Sequence, residues 1–184
     1  MSRSYLEIYE NVDIKDDKPY RTAIPIALDS TRPAMSFHTN RIHYEVLHEN
    51  YVKKWEEKPS DFTWYGAMLH NLWWLNLQPY EKTLRMTGPA EEMIKGMFSN
   101  HNAMMEAMNK AAAALHGNGW LLITDKGQLK TIPNHEAENV YDHIVLLIDL
   151  WEHALVDHEF QRDRYLPEII RCINWDVVSE RLVR

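Results

Sequence analysis

The stretch VLLID at residues 145–149 restricts the fold more than any other part of this chain. Four consecutive aliphatic residues with no polar alternation read as a strand covered on both faces. The run ends in a carboxylate, Asp149, and His153 follows four positions later. A buried carboxylate is costly unless something positive meets it. The fold must therefore bring either a cationic side chain or a metal ion to the end of this strand. On one helix, residues 149 and 153 would share a face. If Asp149 closes the strand, the turn through Leu150, Trp151 and Glu152 has to bring His153 round instead. The bland alternative is a capping aspartate with an incidental histidine, and the pair alone does not choose between them.

The remaining elements follow from hydrophobic period and punctuation. Residues 1–22 read as a polar extension. Ser36 to Trp55 holds no Gly or Pro and repeats Ile42, Val46, Leu47 and Tyr51 at helical spacing. KPSD at 58–61 breaks that helix, and Ser60 or Asp61 can cap a second one reaching about Leu77. Pro89 opens a third helical region, which can break near FSN at 98–100 and resume up to HGNG at 116–119. WLLIT, DKGQ and LKTI then read as strand, turn and strand, and residues 140–149 as a third strand. A last helix is predicted from about Leu166 to Leu182. The expectation is an α+β fold. A helical hairpin spans 23–87, and a mixed unit with a small three-stranded antiparallel sheet flanked by helices spans 88–184.

Composition narrows the function classes. At 184 residues, with 45% hydrophobic and 26% charged, the chain can bury a real core. A formal net charge of −7 argues against a broad nucleic-acid surface, although a local basic funnel could still attract a small anion. One cysteine, Cys172, excludes an internal disulfide framework and fits a reducing compartment. No apolar run reaches membrane-spanning length. The N-terminus is too acidic for a transit peptide and lacks the apolar centre of a secretory signal, so the cytosol is the expected compartment. Ten His, seven Trp and nine Tyr offer many ligands and much aromatic surface to enclose them.

Each candidate ligand has an ordinary reading as well. His43 shares a helix face with Leu47 and Tyr51 and, taken alone, is a core histidine satisfied by one hydrogen bond. His38 and His48 fall on other faces and are expected to be solvated. His70 lies on the buried side of the second helix. Gly66 stands one turn before it, where a glycine costs about 1 kcal/mol relative to alanine and needs a packing or functional reason. Three histidines and an aspartate on three buried elements form a plausible donor set for Fe or Mn, and equally for Zn. Residue types alone do not separate redox from hydrolytic chemistry.

Several motifs, in order, carry a resemblance. IDLWEHAL at 148–155 resembles the D-x-W-E-H-A signature of iron- and manganese-dependent superoxide dismutases. PAMSFHTNRIHYEVLHENYV at 33–52 is similar to that family's first-helix pattern, and LHNLWWLNLQP at 69–79 to its second ligand helix. The segments ending in HGNGW, TIPNHE and NWDVV resemble the family's later elements, so the likeness covers residues 24–184. It implies a two-domain fold, one Fe or Mn ion per chain and a homodimer. The implied reaction is disproportionation of superoxide. By the same resemblance His43, His70, Asp149 and His153 are the metal ligands and Tyr51 the gateway tyrosine. His135 would be the outer-sphere group, donating one hydrogen bond to metal-bound solvent and using its other nitrogen on Tyr51.

The departures are specific. Iron-type members commonly carry glutamine where this chain has Gly66, so His135 from the sheet unit is expected to fill that gap. The region between Tyr51 and His70 is short, and Leu122 stands where a second tryptophan is expected. Leu47 and Val156 replace both members of a polar pair across the family's dimer interface, leaving Glu152 to bridge to His153 of the second subunit. These changes leave two readings: an active dismutase, or a metal-binding structural or interaction protein on the same scaffold.

Overall fold

The computed structural model describes residues 18–137 and 143–183. The first helical rod has three parts: α1 (Phe37–Arg41), a π-helical segment (Ile42–His48) and α2 (Glu49–Glu57). Ser36 starts it by accepting from Thr39 N. The break at KPSD is real, and Ser60 caps α3 (Asp61–Leu75) by accepting from Thr63 N. Residues 66–74 of α3 are buried all round, as the run GAMLHNLWW requires. This helix lies between α2 on one side and the sheet on the other.

The predicted break near FSN separates α4 (Gly88–Met97) from α5 (His101–Ala114), with Asn100 as the cap of α5. The strands β1 (Gly119–Thr124), β2 (Leu129–Pro133) and β3 (Ile144–Asp149) form an antiparallel sheet in the order β2-β1-β3. Residues 140–142 of the predicted third strand lie outside the described residues. β1 and β3 are buried throughout, which explains their unbroken apolar runs; edge strand β2 is half exposed and carries Lys130. The register sets Trp120 opposite Asp149, at the end of the sheet nearest α3 and the first helical rod.

The short α6 (Glu152–Leu155) leads to the last helical region. The single helix expected from Leu166 to Leu182 is two: α7 (Arg162–Ile169) and α8 (Trp175–Leu182). Ile173 is extended and bridges to Leu77, and Asn174 caps α8 through Asp176 N and Val177 N. A local side-chain acceptor and a strand-like bridge outcompete continued helix there.

Asn76, fully buried at the end of α3, joins three elements. Its Nδ2 donates to Trp73 O at 2.8 Å, and its Oδ1 accepts from Leu147 N at 3.0 Å and from Arg181 Nη1 at 3.4 Å. Its carbonyl accepts from Asn174 N. Arg181 in turn donates to Val145 O and Leu72 O. Asn76→Leu would strand a buried strand N–H and remove an acceptor from a buried guanidinium. We expect a loss of about 3 kcal/mol in urea unfolding. A loss below about 1 kcal/mol would show that other groups satisfy these donors.

Candidate metal centre

Asp149 arrives at the end of β3 with its carboxylate fully buried and oriented. Trp151 N donates to Oδ1 at 2.7 Å, leaving Oδ2 turned to three imidazoles. The Nε2 atoms of His43, His70 and His153 lie 3.2, 3.6 and 3.3 Å from it. One ligand atom from each of the four residues falls within 4.8 Å of the others. Burial pulls the Asp149 carboxyl upward, but the neighbouring His153, hydrogen-bonded to it, and His43 outweigh that and keep the group ionised.

The second helix fixes one tautomer. His70 Nδ1 donates to Gly66 O at 2.5 Å, so Nε2 presents a lone pair to the centre. His43 is stacked on Trp73 at 4.6 Å and flanked by Trp74 and His153. Among the described residues, neither ring nitrogen of His43 nor Nε2 of His70 has a hydrogen-bond partner. Burial, followed by the charge of His153, lowers His43 to about 4; burial, followed by His43, keeps His70 well below its ordinary value. His43 and His70 are neutral imidazoles, so their short contacts to Asp149 are not ion pairs. Three nitrogens and an anionic oxygen converge with too few protons between them, and a cation that accepts all four lone pairs fits the arrangement. The mixed imidazole–carboxylate set suits Fe or Mn, and also Zn.

His48, expected to be solvated, is fully buried. In an α-helix, residues five apart point roughly 140° away from each other. In the π-helical segment, bonded i to i+5, they return to one face, so His43 and His48 both point inward. His48 stacks on the His70 ring at 5.3 Å and 28°, and its Nε2 donates to Ala67 O at 3.1 Å. Burial and the neighbouring His43 lower it to about 3. Sequence reasoning missed this support for the candidate ligand His70; the signal was its place in the resemblance, immediately before the ENYV stretch. His38 is exposed, as expected.

Tyr51 and His135 meet, with Tyr51 Oη 2.8 Å from His135 Nε2. The other nitrogen of His135 is also engaged: Nδ1 accepts from Trp120 Nε1 at 3.1 Å. That fixes the proton on Nε2, which donates to the phenol oxygen. The expected second hydrogen bond from His135 to metal-bound solvent therefore has no nitrogen left to make it. Nor does the imidazole titrate near neutrality, since burial lowers it to about 3. The space beside Gly66 is taken by the ring of Tyr51 itself, with His135 behind it, rather than by His135 directly. Phe62, half exposed, packs 4.8 Å from His135 and 6.1 Å from Tyr51 at the rim.

Comparison with known proteins places this geometry. The sequence model of the family described as iron/manganese superoxide dismutases, C-terminal domain, matches residues 86–181, just over half of the chain. The chain is 27% identical over 183 residues to "Superoxide dismutase [Fe]" of Bordetella pertussis, covering 85% of this chain and 95% of that protein. It is 26% identical to "Superoxide dismutase [Fe]" of Methanothermobacter thermautotrophicus, covering 86% of this chain and 91% of that protein. It is also 26% identical to "Superoxide dismutase [Mn]" of Listeria monocytogenes, covering 86% and 94%.

Proposed function

The chain belongs to the iron/manganese superoxide dismutase family, and from this we propose that it converts two superoxide ions and two protons into oxygen and hydrogen peroxide. The cofactor in this reading is one Fe or Mn ion held by His43, His70, Asp149 and His153. The observation that carries it is the convergence of those four donors, with buried nitrogens of His43 and His70 that no group among the described residues satisfies. An Fe or Mn ion held there would supply the one-electron couple that the disproportionation needs.

The chain's own residues do the rest. Held by three imidazole nitrogens and one carboxylate, the cation would have only one unit of its charge offset, which leaves the centre attractive to a small anion. Trp73, Trp74 and Trp120, all buried, wall the ligands from bulk water. Trp120 holds His135, and His135 Nε2–H holds the phenol oxygen of Tyr51. This leaves the phenol's own proton free to be donated into the site. Burial, and then the charge of Asp149, raise the Tyr51 phenol well above its ordinary value, so it stays protonated and serves as a donor.

We read the homodimer face as the one bearing Glu152, His153, Leu47 and Val156. Val156 is 50% exposed, and Phe160, 61% exposed, lines a depression of about 450 Å³ together with Asn118, Glu152, Leu155 and Arg162.

The test is metal analysis of the purified protein together with superoxide dismutation before and after reconstitution with Fe or Mn. Full metal loading without dismutation in either form would reject the enzyme in favour of a metal-binding scaffold. Within the active form, Tyr51→Phe should keep the metal and lower turnover by about 100-fold, the low end of what a positioned proton donor contributes. Loss of the metal in that variant would make Tyr51 a ligand rather than a donor.

A further inference from the structure

We propose that Gly66 is the positioning residue for the Tyr51–His135 pair: its missing side chain is the seat of the Tyr51 ring. A Cβ built on Gly66 would lie 2.5, 2.7 and 2.9 Å from Cδ1, Cε1 and Cγ of Tyr51. These contacts run along the root of the ring, so the phenol cannot avoid them by swinging only its tip. The ring is also confined by the His70 imidazole, centroids 5.2 Å apart, and by Phe62 at 6.1 Å. Its hydroxyl reaches His135 at 2.8 Å only from this seat. Gly66 acts on the other side as well, since its carbonyl accepts from His70 Nδ1 and orients a metal-ligating ring. One residue of α3 thus sets both the tautomer of a ligand and the reach of the proton donor. A buried glycine in the middle of a helix, costly by propensity, has its reason here.

The functional half of this inference rests on the reading of Tyr51 as the donor at the site; the steric half does not. Two measurements on metal-loaded protein separate them. In the first, Gly66→Ala is made in the parent and in Tyr51→Ala. In the parent it should lower Tm by at least about 3 °C through overpacking. In the Tyr51→Ala background, where the ring is gone, it should raise Tm by about 2–4 °C, as alanine for glycine in a helix ordinarily does. In the second, azide binding is titrated optically. Gly66→Ala should reproduce the affinity change of Tyr51→Phe, and the double variant should show no further change, because both lose the same hydroxyl contact. Stabilisation by Gly66→Ala in both backgrounds would remove the seat. Additive azide effects would show that Gly66 does not act through the hydroxyl and would overturn the positioning role. An azide affinity unmoved by Tyr51→Phe would instead overturn the donor reading, while the reversal of sign in Tm would still establish the seat.

Discussion

His70→Ala will reduce iron or manganese binding to trace stoichiometry, an affinity loss of more than about 100-fold. Its Nε2 is one of four converging donors, and its Nδ1 is tied to Gly66 O. The variant also loses the ring on which His48 and Tyr51 pack, so it should unfold more readily even without metal. His153→Ala is the cleaner companion. That side chain is 19% exposed and sits on the short α6, so the fold should survive its loss while the fourth donor disappears. Metal analysis after equilibration with excess Fe or Mn decides the matter. The parent should be stabilised by the added ion, by about 2.7 kcal/mol at a hundred times the dissociation constant, and neither variant should respond. Unchanged metal content in both variants would place the ion elsewhere.

Metal-free protein should lose stability steeply as the pH falls below about 6.5. Burial holds His43 at about 4, His48 at about 3 and His135 at about 3, and His70 well below its ordinary value. In the unfolded chain each of these histidines takes up its proton near pH 6.5. Between that pH and about 3–4 the unfolded state therefore binds more protons than the folded one. The sign follows: stability is complete above the unfolded value and falls with pH through this window. Each histidine contributes a slope of up to about 1.4 kcal/mol per pH unit. Thermal unfolding of the metal-free protein at about pH 7.5 and about pH 5 measures it. A Tm that stays level between them would mean that water or an open conformation already protonates the cluster.

The helical first half, the strand–turn–strand signal and the buried carboxylate were legible because each rests on local chemistry. KPSD stops a helix, Gly127 at φ +66° turns the hairpin, and VLLID alternates nowhere. The four donors were legible because they occur in spaced motifs, and the folded chain does bring them together. The errors arose where tertiary contacts override local period. An α-helical period puts His48 in solvent, but the segment that carries it is π-helical. Local period runs the last helix unbroken, because nothing in IRCI at 170–173 signals that Ile173 bridges to Leu77 across the chain. The sequence around His135 leaves its second nitrogen free, because the indole of Trp120 that engages it comes from a strand fifteen residues away in sequence.

The π-helical segment also bears on how the chain tolerates change in length. A π turn is, in effect, a helix carrying one residue too many, so α1 and α2 are out of phase although they form one rod. Removing a single residue between His43 and His48 would let the rod relax to ordinary α-helix. The rod would then rotate one half against the other, and either His43 or the Tyr51 face of α2 would turn away from the four converging donors. Here the helix is sensitive to register in the way a strand is: substitutions on its outer side are absorbed locally, whereas an insertion or deletion is felt at the far end.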